Sequence, residues 1–120
     1  MPLRVELKPF ERIVIGESVV INSANRTCFL VDGEAPVLRE KDTITAETAD
    51  TTAKRLYLCV QTMYLKSDPE PYRRACLGLL DQLAREMPDR RDVIAAISEL
   101  VSKRQLYKAL KYIRKLTERA

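Results

Sequence analysis

The sequence predicts an α+β fold, in which a small N-terminal antiparallel β-sheet or barrel is followed by about four C-terminal helices. In the first half, short apolar segments rich in Val, Ile, Thr and Phe alternate with turn residues. In the second half, apolar residues recur at helical spacing. The charge changes at the same point, from a net −3 over 1–51 to a net +7 over 52–120, which makes +4 in total. We expect a single domain over 1–120, β-rich over 1–50 and helical over 51–120.

Short strands are predicted in the N-terminal half. From Leu3 onward, Val5 and Leu7 alternate with charged residues, as in a strand with one buried face. Three further segments favour strands, namely 12–15, 18–21 and 26–31. Turn residues punctuate them at the spacing expected of hairpins, namely Gly16-Glu17, 22–25 and Asp32-Gly33. Asp-Gly is the strongest of these signals, because both residues tolerate the positive φ of a tight turn.

The first two helices are predicted from about Thr51 to Met87. The apolar stripe of the first helix is Leu56, Val60, Met63 and Tyr64. Asp68-Pro69 reads as a cap followed by a first-turn proline for the second helix. The inward face of the second helix is Tyr72, Cys76, Leu79, Leu80, Leu83 and Met87. Pro88 is expected to end it, because proline cannot continue the helical hydrogen bonding.

The last two helices are predicted between Asp89 and about Thr117. The residues that the third helix buries are Val93, Ile97, Leu100 and Val101. The segment 102–105 fits a capping box at the start of the fourth helix. Its inward residues are Leu106, Ala109, Leu110, Ile113 and Leu116. The apolar stripes are too narrow for isolated helices, so the helices must pack on each other or on the sheet.

The composition excludes several classes of function. The 120 residues contain no histidine, so neither a Ser-His-Asp nor a Cys-His catalytic system can be built. The cysteines at 28, 59 and 76 lack the paired spacing of a zinc knuckle, and three glycines make no phosphate-binding loop. We expect no catalysis, no metal and no cofactor. Without an apolar run of about 20 residues or a signal sequence, we expect a cytoplasmic protein with no membrane association.

The predicted fourth helix carries a basic face. At 100° per residue, its cations fall within an arc of about 80° opposite the apolar stripe. They are Arg104, Lys108, Lys111, Lys115 and Arg119. Tyr107 and Tyr112 flank this arc, and a row of cations bordered by aromatic rings suits a phosphate backbone with rings free to stack on bases. The alternative is the solvated outer face of an amphipathic helix.

Two arginine pairs lie near predicted helix starts. They are Arg73-Arg74 and Arg90-Arg91. A helix N-terminus mildly disfavours cations because of its dipole, so this placement hints at a use. Tandem arginines are common, however, and the pairs by themselves indicate no particular chemistry.

Four segments along the chain resemble the FlbT family. They are Met1–Gly16, Phe29–Asp42, Lys54–Leu65 and Leu106–Leu110. The resemblance implies a regulator of flagellum biogenesis that associates with the 5′ untranslated leader of flagellin mRNA and lowers flagellin output. In that family the transcript typically decays, although some members act as positive regulators. The sign of the regulation therefore stays open.

Two N-terminal segments are similar to the carbon storage regulator family of small all-β mRNA-leader binders. They are Glu11–Val19 and Ala35–Glu40. In that family, basic residues on the first and last strands contact RNA, and the similarity implies that Lys8 and Arg39 are their equivalents. Those proteins also exchange strands in a dimer, so a dimer is one of the oligomeric states left open here.

The leading hypothesis is an RNA-binding post-transcriptional regulator without catalysis. The residues expected to contact RNA are Lys8, Arg39, Arg104, Lys108, Lys111 and Lys115. Decay of the message would then need a recruited cellular ribonuclease, and the other route is occlusion of the ribosome site. The second hypothesis is a protein–protein adaptor that acts on flagellin, its chaperone or the FlaF regulator without direct RNA contact. Its expected anchors are Met63, Tyr64, Tyr72 and Tyr107, which are otherwise core residues.

Overall fold

The computed structural model of the protein describes residues 2–66 and 68–117, and it confirms the predicted α+β fold. Within these residues, five strands precede four helices. The chain divides into two compact units, of which the first ends at Thr43 and the second begins at Ile44. In the described ranges, no helix is long and apolar enough to cross a lipid bilayer.

The first unit contains two small antiparallel sheets. The strands are β1 Leu3–Leu7, β2 Arg12–Ile15, β3 Ser18–Ile21, β4 Thr27–Val31 and β5 Val37–Arg39. β1 pairs with β4, and β2 lies between β3 and β5. The alternation in β1 buries Val5 and Leu7, which form a core with Ile13 of β2. Partly buried side chains surround this core, among them Phe29 opposite Val5.

One of the three predicted hairpins is confirmed. Gly16-Glu17 joins β2 to β3, and Gly16 adopts the positive φ of 61° that this tight turn requires. The hairpins predicted at 22–25 and at Asp32-Gly33 are wrong, because each connects strands of different sheets. Turn residues specify that the chain reverses locally, whereas pairing depends on which apolar faces are buried together. Here Val5 and Leu7 of β1 are buried with Ile13 of β2, and Phe29 and Val31 of β4 pack against the same cluster.

The side chain of Asn22 stabilises the connection between β3 of one sheet and β4 of the other. It is 8% exposed. Its amide nitrogen donates to three carbonyl oxygens, those of Leu7 at 3.3 Å, Lys8 at 2.8 Å and Asn25 at 2.9 Å. Its oxygen accepts from the Ser23 backbone N–H and the Thr27 hydroxyl, both at 2.9 Å. The buried amide is thereby fully satisfied, as a polar group in this position must be.

The second unit is helical. Its helices are α1 Thr52–Leu65, α2 Glu70–Glu86, α3 Arg91–Ser102 and α4 Leu106–Thr117. The Thr51 hydroxyl caps α1 by accepting a hydrogen bond from the Lys54 backbone N–H at 3.1 Å. The most deeply buried side chains follow the predicted stripes, and among them are Leu56, Val60, Cys76, Leu83, Ile97 and Ile113.

The helix starts differ in detail from the predicted ones. Before α2, the Asp68 carboxylate accepts from the Glu70 backbone N–H at 3.2 Å, as a cap does, although the cap position itself is occupied by Pro69. The third helix begins at Arg91 and not at Asp89, because Pro88–Arg90 form a 3-10 turn.

The buried face of α3 differs in part from the predicted one, because residues 94, 97 and 101, at spacings of three and four, share the face that points into the core. Ile94 is 5% exposed and belongs to the core, while Val93 and Leu100 are only half-buried. Ile97 and Val101 are buried as predicted.

Candidate nucleic-acid interface

The fourth helix presents three lysines on its exposed side. Four of its five predicted inward residues are at most 2% exposed, namely Ala109, Leu110, Ile113 and Leu116, whereas Leu106 is half-buried. On the other side Lys108, Lys111 and Lys115 are exposed, and we call these three the lysine ladder. The spacing spans about 10 Å along the helix axis. α4 contains no acidic residue, so its own side chains do not neutralise the ladder.

Two tyrosine rings of α4 contact the ammonium groups of two ladder lysines. The Lys111 ammonium lies 4.9 Å from the ring centroid of Tyr107, and that of Lys115 lies 5.0 Å from the ring of Tyr112. Each such cation–π contact at an exposed site stabilises by about 0.5–1 kcal/mol. Tyr107 is supported in turn by Tyr64 of α1, whose ring centroid is 5.8 Å away. No lysine of the ladder forms an ion pair with a side chain in the described part of the chain.

The rings are only partly available for base stacking. Tyr107 is 44% exposed and Tyr112 is 39% exposed. The expectation that both rings are free to stack is therefore modified, since each ring already contacts an ammonium group. In this arrangement the tyrosines position cations, and a stacked base would have to share the ring with a lysine. The role of Tyr64 was not predicted, because nothing in the spacing of the sequence relates α1 to α4.

α4 begins at Leu106, so Arg104 lies before the helix and not within it. The capping box predicted over 102–105 is therefore wrong. The Ser102 hydroxyl donates back to the Glu99 carbonyl at 2.8 Å instead of capping α4. Arg104 has a φ of 59°, its N–H bonds the Val101 carbonyl at 3.0 Å, and the next N–H bonds the Leu100 carbonyl at 2.9 Å. These bonds form a Schellman motif, in which arginine stands where glycine is usual.

The guanidinium of Arg104 is engaged away from the lysine ladder. It lies 3.3 Å from the Glu70 carboxylate, which also pairs with Arg73 at 3.3 Å. Arg104 therefore belongs to an exposed ion-pair cluster at the start of α2. Arg119, the last cation of the predicted arc, lies outside the described residues.

Lys8 and Arg39 are brought together in the first unit by one carboxylate. The backbone N–H of Lys8 donates to Glu11 Oε1 at 2.9 Å, while the Arg39 guanidinium lies 3.5 Å from Glu11 Oε2. The Lys8 side chain is exposed, whereas Arg39 also donates to the Glu6 carbonyl at 3.2 Å. Arg39 thus has two internal partners, and Lys8 is the cation of this pair that faces solvent.

The side chains expected to anchor a partner protein are mostly internal. Met63 is 5% exposed and part of the core, and Tyr64 and Tyr72 are half-buried. Tyr107 alone among the four anchors is exposed, and it lies beside the lysine ladder. These four residues therefore do not make one exposed apolar surface.

Comparison with known proteins identifies relatives over almost the whole chain. No solved structure matches it. The model of the family described as "Flagellar protein FlbT" matches residues 3–119. The "Probable flagellum biosynthesis repressor protein FlbT" of Rhodopseudomonas palustris is 56% identical over 119 residues, covering 99% of this chain and 94% of that protein.

Two further relatives are more distant. The "Probable flagellum biosynthesis repressor protein FlbT 1" of Bradyrhizobium diazoefficiens is 44% identical, over 97% of this chain and 80% of that protein. The "Flagellum biosynthesis repressor protein FlbT" of Caulobacter vibrioides is 36% identical, over 98% of this chain and 86% of that protein. Full-length matches of this kind agree with the family resemblance seen in the sequence, and the chain belongs to the FlbT family of flagellar proteins.

Proposed function

We propose that this protein is a post-transcriptional repressor of flagellin synthesis that binds the 5′ untranslated leader of flagellin mRNA. The relatives named as flagellum biosynthesis repressors support the regulatory part of the proposal. The observation that carries the RNA-binding part is the lysine ladder, which is exposed, lies on a helix without acidic residues and has no ion-pair partner among the described residues.

The ladder suits the backbone of an unpaired RNA strand. Cations that neutralise phosphates release bound counterions, and this release supplies much of the affinity for nucleic acid. Proteins that recognise RNA by sequence usually bind single-stranded loops and ends, where the base edges are accessible. Lysine contacts to phosphate set position and orientation and do not read bases. The bases of the leader would be selected by other groups. Lys8, in the first unit, is a second exposed cation that could contact phosphate.

Binding to the leader would act on the message without catalysis by this protein. Bound protein can cover the ribosome site, which blocks translation. A cellular ribonuclease recruited to the complex, or acting on the untranslated message, would then cause its decay. Both routes lower flagellin output, as expected for a repressor.

The proposal is tested by a gel shift of the purified protein with flagellin leader RNA. A shuffled RNA of the same base composition serves as the competitor. We expect binding to the leader that the shuffled RNA displaces only at an excess of tenfold or more. Equal affinity for both RNAs, or no binding to either, would contradict the proposal.

A further inference from the structure

A shallow groove of about 640 Å³ runs between α2 and α3 on the second unit. Its apolar lining includes Leu77 and Leu80 of α2 and Ile94 and Ala95 of α3. Leu77 is 53% exposed, so it adds apolar surface to the groove that another molecule can cover. No residue of the lysine ladder lines this groove, so the groove is a separate surface of the second unit.

Gly78 lines this groove, and neither the backbone conformation nor the packing within the chain requires glycine at this position. It sits in the interior of α2, where glycine is about 1 kcal/mol less favourable than alanine. No positive φ requires it, and an added Cβ would meet nothing within 4 Å. The bare backbone at this point leaves room for another helix to approach closely, and the small Ala84 and Ala95 also line the groove.

Two arginines lie toward opposite ends of the groove. Arg74 lies in the second turn of α2, whereas Arg91 begins α3 and so lies beside the end of α2, near Ala84. Neither guanidinium forms an ion pair with a side chain of the described residues. Asp81 lines the groove between them. The charge pattern along the groove is therefore positive, negative, positive over about three helical turns.

We propose that this groove binds an amphipathic helix of a partner protein. The occupant has a face of small and aliphatic residues, which covers Leu77 and packs over Gly78. It carries acidic residues toward both ends, opposite Arg74 and Arg91, and a hydrogen-bond donor near its middle, opposite Asp81. A helix fits better than a strand, because a groove between two packed helices accepts the ridge of a third. The proposal does not depend on RNA binding.

The test is a selection of helical peptides against the full chain. A phage library displays a 16-residue helix, about 24 Å long, with a fixed Leu/Ala face and randomised end and middle positions. We expect selected peptides to carry Asp or Glu toward both ends. They should bind Gly78→Leu at least tenfold more weakly, because the new side chain fills the groove. The double variant Arg74→Glu/Arg91→Glu should weaken binding similarly.

Matched controls separate docking from folding and from charge. Gly78→Leu should fold, since space is open at its Cβ and leucine favours helix, and thermal unfolding checks this. Arg55→Glu/Arg85→Glu makes the same charge change at exposed arginines outside the groove and should leave binding within twofold. A selection without enrichment, peptides with basic ends, or peptides that bind Gly78→Leu as well as the natural chain would overturn the proposal.

Discussion

The guanidinium of Arg39 lies 3.5 Å from the carboxylate of Glu11 and also donates to the carbonyl of Glu6 at 3.2 Å. Glu6 belongs to β1, Glu11 directly precedes β2, and Arg39 ends β5. One side chain therefore links the two sheets of the first unit. We expect Arg39→Ala to lower the free energy of unfolding by about 1 kcal/mol, because the ion pair with Glu11 and the hydrogen bond to the Glu6 carbonyl are lost together.

The matched control for this prediction is Arg12→Ala. Arg12 pairs with Glu40 at 3.7 Å, and its side chain is 57% exposed. An exposed pair of this kind contributes little, so the change should cost less than about 0.5 kcal/mol. Urea denaturation measures both variants. Equal losses in the two variants would show that Arg39 does not link the sheets.

A single-atom change at Asn22 should destabilise the first unit strongly. In Asn22→Asp, the amide nitrogen that donates to three carbonyl oxygens is replaced by a carboxylate oxygen that repels them. We expect a loss of at least about 2 kcal/mol, since a buried polar group is left without partners. The control is Asn25→Asp at an exposed position. If both variants unfold at the same urea concentration as the natural chain, the described role of Asn22 is wrong.

Replacing Arg104 by glycine should stabilise the second unit. The residue stands at the left-handed position of a Schellman motif with a φ of 59°, which costs arginine about 1 kcal/mol relative to glycine. Arg104→Gly should therefore raise the free energy of unfolding by about that amount, despite the loss of its exposed pair with Glu70. Arg104→Ala loses the same pair without relieving the backbone, so it serves as the control. A glycine variant no more stable than the alanine variant would contradict this assignment.

The three cysteines should differ in their reactivity toward a maleimide. Cys28 is exposed, whereas Cys76 is 0% exposed. A hydrogen bond with Cys59, together with burial, raises the pKa of Cys76. Because the thiolate is the reactive form, Cys76 should stay unmodified in the folded protein at neutral pH and up to about pH 9. Mass spectrometry of quenched samples should show Cys28 modified first and Cys76 modified only after unfolding in urea. Early modification of Cys76 would contradict its burial in the core of the second unit.

Local patterns predicted part of the fold residue by residue. β2 and β3 have the predicted bounds, because alternation and the Gly16-Glu17 turn are properties of adjacent residues. The pairing of β1 with β4 could not be predicted in this way. In the folded unit, Phe29 and Val31 of β4 pack against the cluster that contains Val5 and Leu7, more than 20 positions earlier in the chain. A turn signal between adjacent residues cannot indicate a contact at that distance in the sequence.

The candidate site, too, could be predicted only where local patterns determine it. Helical periodicity places Lys108, Lys111 and Lys115 opposite the buried stripe, and the structure has them there. The prediction that Arg104 belongs to the basic face of the fourth helix is wrong. The left-handed position that follows the end of α3 usually holds glycine, so an arginine there does not indicate from the sequence that α3 has ended. The internal bonds of Arg39 depend on strands that meet only in the folded unit.

The salt dependence of leader binding tests the central claim, that the lysine ladder contacts RNA phosphates, most directly. Affinity is measured against salt concentration for the natural chain, for Lys108→Ala/Lys111→Ala and for the control Lys54→Ala/Lys103→Ala. The control removes the same charge from lysines that pair with Asp50 and Glu99. We predict that the slope of log affinity against log salt flattens by about 1.4 in the ladder variant, about 0.7 for each lost phosphate contact, and stays unchanged in the control. An unchanged slope in the ladder variant, or equal flattening in both, would contradict the account.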